Sequence, residues 1–152
     1  MRLTIAEIER FVARGNITRE DGDALLDAMR RPNKFGVAPA AERTWNGRKY
    51  ASKSEMHRAM ELATLVKVGQ IKSVREQPRF TLGHKAIVYV SDFEVFDGER
   101  TWVEEVKGKE TPKFRMVRRL WPDYGPCPLL IFKRPKRGRG WDREVVKGKD
   151  NA

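Results

Sequence analysis

Apolar positions recur along the chain with two different periods. Ile5, Ile8, Phe11 and Val12 keep helical spacing behind Thr4-Ile5-Ala6-Glu7. That is a capping-box pattern, in which a threonine and a glutamate three residues on satisfy each other's backbone donors. Gly15 stops this helix, and Thr18-Arg19-Glu20-Asp21 starts a second, carrying Leu25, Leu26 and Met29 and ending before Pro32. Residues 1–31 are therefore expected to form a helical hairpin. Its second helix is acidic where a groove-reading helix is basic, so the expected role is packing or oligomerisation. Residues 32–43, with Pro32, Gly36 and Pro39 among small residues, read as a linker.

Beyond the linker, Asn46-Gly47 is the pair a type I′ turn needs, with Arg48-Lys49-Tyr50 as its return strand. Ser52-Lys53-Ser54-Glu55 then opens a long helix to about Val68, its apolar positions being Met56, Ala59, Met60, Ala63 and Val66. Gly69 ends it. From Arg75 the period changes. Gln77–Leu82 is a short strand, Lys85–Phe96 a long one rich in Val, Ile, Tyr and Phe, and Thr101–Lys107 returns after the Asp97-Gly98 turn. Thr111 caps a helix with Pro112 at its first position, running through Trp121, and Leu129–Phe132 is a final buried strand. Residues 44–133 thus give a helix, a three-stranded β-meander, a helix and a strand: an α/β layer around a mixed sheet. Residues 134–152, rich in Arg, Lys and Gly with Trp141 among them, lack periodicity and read as a flexible basic tail.

Charge narrows the partners. Of 152 residues, 32 are Lys or Arg and 21 are Asp or Glu, a net +11. Residues 1–31 sum to zero, so the whole excess lies beyond them, and Lys133 to the end contributes +5. Such a body suits a polyanion, because each neutralised phosphate releases counterions. A ribosome-associated or merely solubilised basic protein would share this charge. Cys127 is the single cysteine, so no intramolecular disulfide forms and a Cys-based zinc site is not expected. No apolar run of about 20 residues and no charged-then-apolar leader occurs, so the expectation is a soluble cytoplasmic protein with no membrane partner.

Glu105-Val106-Lys107 is the one acidic-x-Lys triplet in the chain. On a strand, Glu105 and Lys107 share one face and Val106 takes the other. A carboxylate and an ammonium so placed can hold a metal ion and a water nucleophile together. Asp92 interrupts an apolar strand, where an unpartnered carboxylate would cost several kcal/mol, and folding across Asp97-Gly98 brings it beside Glu105. The pair would suit a hard divalent cation; a strand-end aspartate beside a surface Glu/Lys pair is the bland alternative. Glu55 stands at the edge of the long helix's sheet-directed face. It also completes a capping box with Ser52, and the two roles are compatible.

This ordered set resembles the PD-(D/E)xK nuclease superfamily, with Glu55, Asp92, Glu105 and Lys107 at the matching positions and Ser91 in place of the proline. Tyr50–Glu55, Gly69–Ile71, Gln77-Pro78, Tyr89–Phe93 and Val103–Gly108 with Thr111-Pro112 resemble small phage-encoded, Holliday-junction-resolvase-like proteins. The resemblance covers about residues 44–133. It implies a restriction-endonuclease-like core and Mg²⁺- or Mn²⁺-dependent hydrolysis of DNA phosphodiester bonds, in host cytoplasm if phage-encoded. Asp92 and Glu105 would ligate the ion with the Val106 carbonyl, and Glu55 would bind the same ion, a second one or a bound water. Lys107 would orient the attacking water. Gln77 would position substrate, unless its amide is structural. Branched or duplex DNA and a second copy of the chain are the implied partners.

Other candidates are weaker. Lys113, Arg115, Arg118 and Arg119 stripe the helix after the triplet, as a DNA-backbone surface or a solvated face. Glu104 points away from Glu105 and is expected in a salt bridge, with Trp102 buried. His57 reads as an exposed bystander more readily than as a phosphate contact. Trp121 and Tyr124 are expected to pack in the core or at the helix end. Three functions stay open: a structure-selective endonuclease for branched DNA in phage recombination, replication or packaging; a less selective nicking or degrading nuclease; and a non-catalytic nucleic-acid-binding module.

Overall fold

A computed structural model describes residues 3–30, 38–84 and 87–149. The chain divides into two compact units, residues 1–71 with 134–141, and residues 72–133 with 142–152. Among the described residues there are four α-helices, and none is long and apolar enough to cross a membrane.

The first unit is built on helices. α1 (Ile5–Ala13) carries the complete Thr4–Glu7 capping box, and α2 (Arg19–Arg30) follows with the Thr18 hydroxyl accepting from the Asp21 N–H at 3.1 Å. Ile8, Phe11, Leu25 and Leu26 are buried between them, and α2 packs against α3 (Lys53–Lys67). The hairpin is thus real and has a packing role within its own unit. Of the expected linker, residues 32–37 lie outside the described residues, while Ala40–Arg43 form a single 3₁₀ turn. β1 (Thr44–Trp45) and β2 (Arg48–Lys49) pair across Asn46 and Gly47, both at positive φ as a type I′ turn requires.

α3 ends where the sequence indicates, at Val68 and Gly69, but its buried face is wider than the apolar stripe. Val66 is exposed, whereas Leu62 and Leu65 are enclosed. Arg58 and Glu61 are buried as well, and they form an ion pair at 2.8 Å. Glu61 also accepts from the Leu3 N–H and from the Trp141 indole, both at 3.0 Å. Three donors, one of them charged, offset the cost of desolvating this carboxylate.

The second unit holds a five-stranded mixed sheet in the order β3-β6-β7-β8-β9, with β7 and β8 parallel and the other neighbours antiparallel. The strands are β3 (Ser73–Glu76), β6 (Phe93–Phe96), β7 (Thr101–Val106), β8 (Leu129–Lys133) and β9 (Asp142–Val146). β4 (Arg79–Leu82) and β5 (Ile87–Val90) form a separate antiparallel pair, and α4 (Pro112–Tyr124) joins β7 to β8. The Asp97 carboxylate accepts from the Glu99 and Arg100 N–H groups at 2.8 Å each, which fixes the β6–β7 turn. Leu82, Tyr89, Val103, Phe114, Val117, Trp121, Leu129 and Ile131 form one apolar cluster, which places α4 over the sheet face of Val103 and Ile131. Trp121 lies in this core, whereas Tyr124 at the helix end is exposed.

Two expectations need correction. The meander has more strands than three, because Lys85–Phe96 is broken into β5 and β6 at Ser91-Asp92, and β3 precedes it. Residues 134–149 do not behave as a flexible tail. Trp141 is buried, and β9 extends the sheet as an edge strand against β8. Periodicity could not show this, since four of the five β9 residues are exposed and its ladder is held by backbone groups.

Candidate active site

The break in the long strand is what builds the site. Continuing the registers of β3 with β6 and of β4 with β5 sets Gln77-Pro78 opposite Ser91-Asp92. Pro78 has no N–H to give, and Gln77 adopts a φ of 53°, so the ladder cannot run through straight. Two bonds bridge the corner: Gln77 N–H donates to the Asp92 carbonyl at 2.9 Å, and Ser91 N–H donates to the Pro78 carbonyl at 3.1 Å. The ribbon bends here with Asp92 at its corner. On the far side of the bend, Tyr89 packs against Phe80, Phe114 and Trp121.

Asp92 and Glu105 fall opposite each other when the β6–β7 register is continued by one residue. The Asp92 carboxylate accepts from the Val106 N–H at 2.7 Å. Glu105 is only 5% exposed, yet both its oxygens are engaged. One accepts the Tyr89 hydroxyl at 2.5 Å, and the other meets Lys107 Nζ at 2.6 Å. The Lys107 ammonium also lies 4.6 Å from the centre of the Phe114 ring, a cation–π distance. Burial, then the charge and hydrogen bond of Glu105, then the charge of Asp92 hold the Tyr89 phenol far above its ordinary pKa. The tyrosine therefore keeps its proton and acts as donor to the carboxylate.

The second unit thus gathers Asp92, Glu105 and Lys107, three of the four residues read from the sequence. Glu55 belongs to the first unit, buried on the first turn of α3 with its N–H donating to the Ser52 hydroxyl at 3.1 Å. Among the described residues, no three His, Cys, Asp or Glu side chains form a cluster able to hold a metal ion. Tyr89 is the member that sequence reasoning missed. A tyrosine inside an apolar strand was the available signal, since a buried phenol needs a hydrogen-bond partner.

The remaining candidates separate. Gln77 is exposed and contributes its backbone to the bend. Lys113, Arg115 and Arg119 are exposed on α4, but Arg118 is bound to Glu110 and Glu144 and so is withdrawn from the stripe. Glu104 is fully buried and accepts from the Trp102 indole at 2.8 Å, with Trp102 half-buried. His57 is half-buried, its Nδ1 3.4 Å from an Arg134 nitrogen, contrary to the exposed position expected. Burial first, then Arg134 and Lys53, push its pKa down to about 4.

The second unit is therefore a mixed α/β sheet carrying a buried carboxylate–lysine pair at a strand end, with a second carboxylate opposite. The model of a family described as "Protein of unknown function (DUF1064)" matches residues 39–125, more than half of the chain, and the chain belongs to that family. No curated protein and no solved structure matches it.

Proposed function

We propose that this protein is a metal-dependent DNA endonuclease with a restriction-endonuclease-like core. The observation that carries the reading is Glu105: a carboxylate paired with Lys107 in a nearly closed position, with Asp92 opposite. A buried ion pair is weak as a device for stability, and its presence at a strand end, open on the Lys107 side, fits chemistry better. Asp92 and Glu105 offer the hard oxygen donors that Mg²⁺ or Mn²⁺ takes, and Glu55 is the third carboxylate in this reading. The bound cation would supply charge neutralisation at the phosphate and a more acidic water. Lys107 orients the attacking water and stabilises charge developing on the phosphate. Tyr89 keeps Glu105 in place by donating to the oxygen that Lys107 leaves free. The reaction is phosphodiester hydrolysis, selective for branched DNA, carried out by a homodimer in the cytoplasm.

A second reading, a non-catalytic nucleic-acid-binding module, is favoured by the lack of a three-acid cluster among the described residues. One experiment separates the two. A labelled four-way junction, a flap and a linear duplex are incubated with the protein in EDTA, Mg²⁺ or Mn²⁺. Metal-dependent cleavage that disappears in Asp92→Asn and Glu105→Gln, with DNA binding retained, is expected. Binding without cleavage under every condition would establish the second reading, and cleavage in EDTA would refute the metal assignment. Preference for the junction over the linear duplex distinguishes the structure-selective enzyme from a less selective nuclease.

A further inference from the structure

The segment joining β8 to β9 contains four cations and no acid: Arg134, Lys136, Arg137 and Arg139. Its two ends are fastened inside the first unit. Trp141 is 4% exposed, and its indole donates to Glu61. Arg134 lies over the Trp141 ring, 3.6 Å from its centre, and donates to the Gly140 carbonyl at 3.1 Å, which ties the mouth of the loop shut. Burial lowers the Arg134 pKa to about 10, as suits a cation spent on anchoring. Gly138 and Gly140 take φ of 88° and 78°, values that let the chain turn tightly between the anchors.

At the tip three cations fall within four residues. Lys136, Arg137 and Arg139 are exposed, and among the described residues none has an acidic partner. By contrast Lys53, Arg75, Arg118 and Lys133 all pair with glutamates. The tip carries no apolar side chain that could enter a lipid surface, and its arginines present planar donor forks suited to phosphate. A loop already held in shape loses little conformational freedom on binding.

We propose that the Lys136–Arg139 tip is a sequence-independent contact for the phosphodiester backbone of nucleic acid. The inference does not depend on cleavage. Affinity is measured for the full chain in EDTA, with labelled duplex DNA and with duplex RNA, over a series of salt concentrations. The triple variant K136Q/R137Q/R139Q should bind at least ~10-fold more weakly near 0.1 M salt. Its salt slope should fall by about two to three, since each phosphate contact contributes ~0.9. A charge-matched control, R10Q/R14Q/R19Q, removes three exposed cations from the helical hairpin and should keep most of the affinity. Trp141→Ala retains every tip cation but unpins the loop, and should weaken binding in the same direction.

Loop-dependent binding of either nucleic acid sustains the proposal and names its source. Equal losses in the two triple variants would mean that diffuse charge is responsible, and an unchanged salt slope would rule the contact out. Should the loop triple melt below the wild type, Arg137→Gln in the same salt series carries the test. Because binding is read in EDTA and hydrolysis in Mg²⁺, the failure of one reading is visible apart from the other.

Discussion

Each unit holds buried glutamates, and one from each, Glu61 and Glu105, are satisfied in opposite ways. Glu61 of the first unit is saturated by a backbone N–H, an indole and Arg58, whose side chain is 0% exposed. Glu105 of the second unit meets one phenol and a lysine that remains 21% exposed. The first arrangement buries its counter-charge completely, as befits a pair that holds structure together. The second leaves its cation in contact with solvent, so the partner of the carboxylate is exchangeable. A buried carboxylate is informative about function through the exposure of its counter-charge more than through its own burial.

The comparison breaks if the two glutamates respond alike. Glu105→Gln should remove cleavage by orders of magnitude while melting stays close to the wild type. Glu61→Gln should do the reverse: breaking a buried pair costs about 3–5 kcal/mol, and cleavage per folded molecule is retained. Thermal melts and single-turnover cleavage on both variants decide the matter. A Glu105→Gln protein that unfolds would show the second site to be structural too.

Glu55 sharpens the comparison, because it is buried on α3 like Glu61 but is assigned to chemistry. Loss of a capping carboxylate costs about 1 kcal/mol or less. Glu55→Gln should therefore melt near the wild type and bind DNA normally, yet lose most of its cleavage. Retained activity would confine Glu55 to the helix cap and the site to Asp92, Glu105 and Lys107.

A pH test addresses the first unit alone. His57 is neutral in the fold with its pKa lowered from 6.5 to about 4, so the unfolded chain binds a proton first as the medium acidifies. Its contribution is complete above pH 6.5 and is lost as pH falls towards 4, by about 2 kcal/mol after allowance for partial exposure. Denaturant midpoints in that window should fall less steeply in His57→Gln; an unchanged slope would show that His57 is not responsible. The smallest effect belongs to Tyr89→Phe, which removes one hydrogen bond to Glu105 at about 1 kcal/mol. It should slow cleavage modestly without abolishing it. A loss as large as that of Glu105→Gln would place the phenol among the reacting groups.

The sequence by itself determined the local features. Thr4, Ser52 and Thr111 cap their helices, Asn46-Gly47 and Asp97-Gly98 turn their strands, and the period of two sets Glu105 beside Lys107. These depend on neighbours within a few positions, where caps, turns and side-chain alternation act. Tertiary structure decided the rest. The corner at Gln77-Pro78 and Ser91-Asp92 exists because two strands meet there, and it divides the strand that the apolar run predicts as continuous. The Tyr89 hydroxyl reaches Glu105 across that corner, 16 residues away, and Trp141 reaches Glu61 across 80. β9 pairs through its backbone while its side chains face solvent, so its residues carry no apolar period to betray it. Hydrogen bonds of the main chain and single polar contacts between distant residues leave almost no imprint on hydropathy, and that is why only the folded chain displays them.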